Sequence, residues 1–401
     1  MEALLIGGTG PTGPAILKEL LARNYSVTIL HRGTHEVDDA EVNGCPHIHA
    51  DPHFFDSLTQ ALEGKYFDLC VATYGRLRVI ADALVGHCDN FIGIGGNPAH
   101  PGMLDAYSLS PSGMKILARE SDPSVLDLFS SEELEKNPRL SFAAKVAQAE
   151  KAVFQHHNAG HYKASYLRYP LVYGWRTWLQ FERGVIARIQ SGERRIVLPE
   201  GGYSVRTRAA DRNCAHALGC LVDHFDSGAG EIFHCGDDDQ YSDRQWCEMI
   251  LSFLEVEAEI VSVPLAFAHT SEAFLPLGPA ATPHTLLDTT KAKTVLGYFD
   301  VIKAKDALEE IVHRLAVDPS MASVAYDKEG ERALLADLDA MRDSLLLRQG
   351  FDGHNPTASF STWHPYDHPK SHEEPSRYKG PPPPSQYASP MRKEGARRGD
   401  L

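Results

Sequence analysis

The sequence predicts an α/β fold: a doubly wound parallel sheet, a smaller discontinuous C-terminal lobe, and a terminal segment without a core of its own. Three observations lead there. Short apolar runs alternate with segments of helical apolar spacing, as parallel strands covered on both faces require. A glycine-rich turn joins the first apolar run to the first helical one. The composition is globular, with 43% hydrophobic and 23% charged residues, and 401 residues suffice for about two or three domains.

The elements follow in order. Ala3 to Ile6 is a short apolar run ending at glycine and reads as a buried strand; Pro14 to Arg23 carries Ile16, Leu17, Leu20 and Leu21 at helical spacing. Ser26 to Leu30, the HIHA segment, Phe67 to Thr73, Asn90 to Ile94, Tyr166 to Val172 and Glu231 to Cys235 read as further strands. Residues 1–174, completed by about 209–240, are therefore assigned to the sheet domain, and 175–208 with 241–345 to the second lobe. That lobe holds amphipathic helices at Gln245 to Leu254 and Asp306 to Leu315 and a strand-like EIVSVP. Residues 350–401 turn proline-rich and polar (GPPPPSQ, RKEGARRGD), cannot bury enough apolar surface to fold alone, and predict a disordered tail able to dock a protein partner.

Charge and cysteine usage exclude several classes. Thirty-nine basic against 54 acidic residues give a net charge of −15, which repels phosphate backbones and argues against nucleic-acid binding. No apolar run reaches the ~18 residues that span a bilayer, and MEALLIGGTG lacks the basic start of a signal peptide, so a cytoplasmic protein is expected. The 7 cysteines are scattered without a CxxC pair and the 20 histidines are dispersed; reduced thiols and no metal site are predicted. His156, His157 and His161 surround a helix end and read as surface residues.

The most informative motif is Gly7-Gly8-Thr9-Gly10-Pro11-Thr12-Gly13, set between a strand and a helix. Glycines allow the tight turn, let backbone N–H groups approach a pyrophosphate, and let the helix pack close to its strand; the helix N-terminus adds partial positive charge. Gly7, Thr9, Gly10, Pro11, Thr12 and Gly13 are thus candidate cofactor-binding residues in a Rossmann-type domain. The second strand ends in His31-Arg32-Gly33. An acidic residue there would suit a ribose 2′-hydroxyl, whereas Arg32 suits a 2′-phosphate, which favours NADP(H) over NAD(H). Asp51 stands where it reaches adenine or, equally, caps the following helix.

Four segments in this order resemble the extended short-chain dehydrogenase/reductases of the NAD-dependent epimerase/dehydratase type. They are Leu4 to Gly33, LRYPLVYG at Leu167 to Gly174, RTRAADRNCAHALGCLV from Arg206, and Asp288 to Tyr298, so the similarity spans about residues 1–345. The resemblance implies contacts to the nicotinamide half from Thr73, Tyr169 and Val172. It also implies a Tyr-x-x-x-Lys pair with a serine or threonine, and there the chain departs. Lys145 fits the lysine and would bind ribose, but Ser141 stands four residues earlier, and Gly95-Gly96-Asn97 occupies the serine region. The only other Tyr-x-x-x-Lys, Tyr366 to Lys370, lies in the tail and contains Pro369.

Replacement acids are sought at the mouth of the sheet: Lys145 first, then Tyr74, Asp105 and Tyr107. His100 is similarly placed, but its flanking prolines read as a rigid surface loop. Arg206 and Arg208 would hold an anionic substrate group or form structural ion pairs. The functional expectation is an NADP(H)-dependent oxidoreductase acting on a small carbonyl or secondary alcohol. The alternatives are a redox-neutral isomerase, epimerase, lyase or cyclase, and a non-enzymatic dinucleotide sensor. A homodimer through the VAQAEKAVF helix is compatible with its apolar face.

Overall fold

The computed structural model describes residues 1–33, 39–73, 76–177, 181–268, 284–318, 320–321 and 324–349. Tyr74 and the tail from 350 onward, including Tyr366 to Lys370, lie outside them. Two compact units divide at Asp327.

In the first unit, β1 (Glu2–Ile6), α1 (Gly13–Ala22), β2 (Ser26–His31), α2 (Ala40–Gly44), β3 (His47–His49), α3 (Phe55–Leu62), β4 (Phe67–Ala72), α4 (Leu77–Ala83) and β5 (Cys88–Gly96) alternate as the apolar pattern predicts. Helices α5 (Val125–Leu128), α6 (Ser131–Lys136) and α7 (Pro138–Asn158) lead to β6 (Lys163–Tyr169) and β7 (Leu171–Tyr173). The run read as one strand from Tyr166 to Val172 is therefore two, interrupted at Pro170, which has no N–H for a ladder. Next come α8 (Phe181–Gln190), β8 (Arg195–Pro199), β9 (Arg208–Ala210), α9 (Asp211–Asp223), α10 (Phe225–Gly228), β10 (Ile232–His234), α11 (Asp243–Phe253), β11 (Glu259–Val263), α12 (Thr290–Leu296) and α13 (Ala304–Ala316). The second unit holds α14 (Lys328–Gln349).

Seven strands form one sheet in the order β10-β6-β5-β4-β1-β2-β3, every pair parallel. Strand β1 shows why its sequence is apolar from Ala3 to Ile6. Ala3 and Leu5 face a core shared with Ile16, Leu17 and Leu20 of α1 and Leu218 of α9; Leu4 and Ile6 face another shared with Leu58, Ile80 and Val153. A strand covered on both faces has no polar side to show. Each buried leucine or isoleucine contributes roughly 1.5–3 kcal/mol.

A further core gathers Val185 and Ile186 of α8, Trp246 and Ile250 of α11, and Leu308 and Val312 of α13. Its small sheet pairs β8 with β11 in parallel. It also takes Tyr173 and Ala210, from the ends of β7 and β9. Trp246 is buried and donates its indole N–H to Glu182 Oε1 at 2.7 Å. No helix among the described residues is long and apolar enough to cross a membrane.

Candidate functional site

Strand order places the glycine loop at the topological switch point: β1 lies between β2 and β4, whose crossovers leave it in opposite directions. The loop is tight. Gly7 has a φ of 93°, Gly10 N–H donates to Gly7 O at 2.9 Å, and Gly13 N–H to Gly10 O at 3.1 Å. A Cβ on Gly13 would stand 2.1 Å from Gly8 O. Thr12 is the N-cap of α1, a proline follows in the first turn, and the Thr12 side chain makes no cap hydrogen bond to the helix terminus. Thr9, Gly10 and Pro11 are half-buried and line the surface of the turn. Thr73, just after β4, donates its N–H to Ile6 O at 3.0 Å and packs its hydroxyl against the carbonyls of Ile6 and Gly7. The close approach of Gly13 to Gly8 thus makes a cradle between strand and helix that a side chain would fill.

Beside this cradle, at the end of β2, His31 is buried and Arg32 is exposed. Asp51 sits close enough to Arg32 to be acidified by it, but its main partner is His53. His53 donates its backbone N–H at 3.0 Å and faces Asp51 Oδ1 with its ring at 2.7 Å; these bonds hold the Asp51 carboxyl below its ordinary range. Asp51 does not cap α3, whose N-cap is Phe54.

At the ends of β5, β6 and β10 lies a cluster that sequence reasoning missed. Arg168 is 3% exposed and grips Glu150 of α7 bidentately, Nε to Oε2 at 2.9 Å and Nη2 to Oε1 at 2.7 Å. Its Nη1 is 3.3 Å from Nε2 of both His100 and His234, which are themselves 3.0 Å apart. His100 is 3% exposed, so the surface-loop expectation is overturned. His100 ends the short 3-10 turn Asn97–Ala99, and its ring meets Arg168. Burial, reinforced by the Arg168 charge, drops His100 to about 2 and His234 to about 3, so both rings are neutral at ordinary pH. Nearby, Asn97 is buried in the region where the resemblance placed a hydroxyl residue. Its Oδ1 has no hydrogen-bond partner among the described residues. A strongly polar residue inside each of two apolar strand runs, Arg168 and His234, was the available signal, because such residues survive burial only when paired.

The other sequence candidates do not converge. Lys145 lies on the exposed face of α7, one turn from half-buried Ser141. Asp105 is committed to structure: it accepts from Tyr107 N–H at 3.2 Å and from Asn137 Nδ2 at 2.7 Å, and Asn137 in turn caps α7. Tyr107 is 77% exposed. Tyr169 points its phenol into the core, donating to Cys214 O at 2.8 Å, and Val172 packs half-buried against the same core. Arg208 and Arg206 both reach Asp243, Arg206 Nε to Oδ2 at 3.3 Å, and the Arg208 guanidinium lies 5.0 Å from the centre of the Trp246 ring. Of the two readings of these arginines, the ion-pair geometry is present.

A cleft of about 530 Å³ opens on the outer side of the loop, lined by Pro11, Pro14, Trp175, Arg176, Asp211 and Arg314. The Arg314 guanidinium lies 3.4 Å from the Trp175 ring centre, and Arg176 approaches Asp39 at 3.7 Å.

The sequence matches no protein-family model and no curated protein. Solved structures do match. UDP-glucose 4-epimerase from Thermotoga maritima, with UDP-glucose, aligns at a TM-score of 0.62 and 15% identity, covering 78% of this chain and 98% of that one. UDP-glucose 4-epimerase from Thermus thermophilus, in complex with NAD, aligns at 0.60 and 15%, covering 79% and 99%. A dTDP-glucose 4,6-dehydratase from Streptomyces venezuelae, with NAD bound, aligns at 0.59 and 16%, covering 80% and 98%. The fold is that of the nucleotide-sugar epimerases and dehydratases. At these identities the likeness shows the architecture, an α/β Rossmann-type fold, and leaves the chemistry to this chain's own residues.

Proposed function

We propose that this chain is an enzyme that uses a nicotinamide dinucleotide, NADP(H) in preference to NAD(H), to reduce a small carbonyl or oxidise a secondary alcohol. The observation that carries this reading is the glycine loop at the switch point, where Gly13 leaves no space for a Cβ and the start of α1 is uncapped. The bound dinucleotide would supply the hydride chemistry. The chain's part is to hold it. The loop amides would take the pyrophosphate, Thr73 braces the loop from β4, and Arg32 would pair with a 2′-phosphate at the end of β2. With no tyrosine one turn before Lys145, the proton is assigned to Lys145 Nζ or to water. The lobe built by α8, α11 and α13 is proposed to line the substrate side.

A second reading is a redox-neutral epimerase or dehydratase reaction on the same cofactor. It is favoured by the solved relatives, which are described as epimerases and dehydratases and carry NAD in two of the three cases. Titration with NADPH and NADH, followed by absorbance at the nicotinamide band against a panel of carbonyls, separates the two. NADPH binding that weakens roughly tenfold or more in Arg32→Ala, with NADH unaffected, supports the 2′-phosphate assignment. Turnover with net absorbance change, reduced in Lys145→Ala, supports the reductase. Absence of binding by either nucleotide to folded protein refutes both readings.

A further inference from the structure

Outside the dinucleotide loop, one group of side chains among the described residues is arranged as metal ligands are. Strand β3 is the edge of the large sheet and pairs with β2 so that Ile29 stands opposite His47 and His31 opposite His49. Alternation along a strand puts His47 and His49 on one face, and His31 on the neighbouring strand completes a triangle. The His31 ring centre lies 4.9 Å from each of the other two, which are 6.4 Å apart, and one nitrogen from each of the three falls within 4.8 Å of the others. Spacing in the sequence left these histidines dispersed; the pairing of β2 with β3 gathers them.

Their tautomers can be worked out from their partners. His47 Nε2 is 2.9 Å from the Val42 carbonyl, which only accepts, so Nε2 carries the proton and Nδ1 is bare. Nδ1 faces His31 Nε2 at 2.7 Å, so His31 donates there, and its own bare Nδ1 accepts from Gly33 N–H at 3.2 Å. A ligand histidine held by a backbone carbonyl through its far nitrogen is the usual outer support of a metal site, and His47 has it already.

We propose that His31, His47 and His49 form a binding site for one divalent transition-metal ion of the zinc class, supplying three of its ligands. Three neutral imidazoles without a carboxylate among them suit zinc, cobalt or nickel rather than magnesium or calcium. His31 is buried, His47 half-buried and His49 exposed, so the ion would enter from the sheet edge. Two Zn–N bonds of about 2.0–2.1 Å at a tetrahedral angle hold their nitrogens about 3.3 Å apart. The His31–His47 contact of 2.7 Å must therefore widen by about 0.6 Å, and both outer ligands sit on β3, which has no strand beyond it among the described residues. The ion takes the place of the proton between them. His31 gives up its Nε2 proton to solvent and takes one at Nδ1, losing the Gly33 contact, so all three rings stay neutral and no net proton is released.

The test uses the full chain, purified without a histidine tag and stripped with chelator. Cobalt(II) titration, read by visible absorption, is expected to saturate at one equivalent with a tetrahedral-type spectrum that zinc abolishes. His49→Gln, at the exposed position, and His47→Gln are each expected to weaken binding on the order of tenfold or more. The double variant His156→Gln/His161→Gln alters another surface histidine pair, whose Nδ1 atoms are 3.0 Å apart, and is expected to leave binding unchanged. Circular dichroism checks that each variant is folded; if His47→Gln is not, His49→Gln decides. No saturation at one equivalent, or binding unaltered in His49→Gln, overturns the site and leaves three hydrogen-bonded histidines on a sheet edge.

Discussion

Replacing Gly13 with alanine puts a methyl group 2.1 Å from Gly8 O, 2.3 Å from Gly8 C and 2.8 Å from Gly8 Cα. Ordinary contact begins at 3.4 Å, so the start of α1 and the first turn of the loop must separate by about 1.3 Å (3.4 less 2.1). The obstacle is backbone on both sides, so no rotamer change relieves it. Overpacking of this kind costs about 1–3 kcal/mol of stability. It also moves the amides of the cradle by more than the tolerance of a hydrogen bond. Losing one charge-assisted bond to a phosphate costs roughly 1.5–3 kcal/mol, or about ten- to a hundredfold in affinity. The assay is a pair of measurements on the same variant, the urea midpoint and the dissociation constant for NADPH. Gly10→Ala is the graded comparison, because its Cβ meets a single atom, Gly7 O, at 3.1 Å. Gly44→Ala is the blank, with nothing within 4 Å. The expected order of damage is Gly13, then Gly10, then Gly44. A Gly13→Ala protein with wild-type midpoint would refute the packing argument. A Gly13→Ala protein that loses stability but keeps its nucleotide affinity would refute the role of the loop.

Two further outcomes follow from the buried cluster. Arg168→Met leaves Glu150 buried without its partner and is expected to cost about 3–5 kcal/mol, whereas Glu150→Met/Arg168→Met should recover most of that loss; urea denaturation measures both, and a double variant no better than the single one contradicts the pairing. His100 and His234 have folded-state values of about 2 and about 3, below the ordinary value of about 6.5 that applies to the unfolded chain. The unfolded state therefore takes up protons first as pH falls. Their contribution is constant above about pH 6.5 and is lost below it by about 1.4 kcal/mol per pH unit for each ring. The urea midpoint measured from pH 7.5 down to 5 should fall less steeply in His100→Gln/His234→Gln than in the native chain, and equal slopes would remove these rings as the cause.

The glycine loop was legible because everything it needs is local: a strand, a turn requiring glycine at fixed positions, and a helix, all within Glu2–Ala22. Asp105 was not. It reads as an acid in a loop after β5, and only its contact with Asn137, 32 residues away, commits it to holding the start of α7. Tyr169 reads as a cofactor contact within LRYPLVYG, yet its phenol turns inward to a carbonyl of α9, 45 residues on. In both cases the side chain's task depends on which helix packs above it.

The sequence by itself determined the alternation of strands and helices, the parallel sheet buried on both faces, the phosphate-type turn and the absence of the tyrosine one turn before Lys145. These are carried by periods of about 2 and 3.6 residues and by the conformational limits of glycine and proline, which act between near neighbours. The tertiary structure alone decided that His100 closes over Arg168 beside His234, 134 residues away, and that His31, His47 and His49 meet on one face of the sheet edge. Those meetings depend on strand order and register. A one-residue slip of β3 against β2 would turn both of its histidines to the other face, and no local pattern records which register was taken.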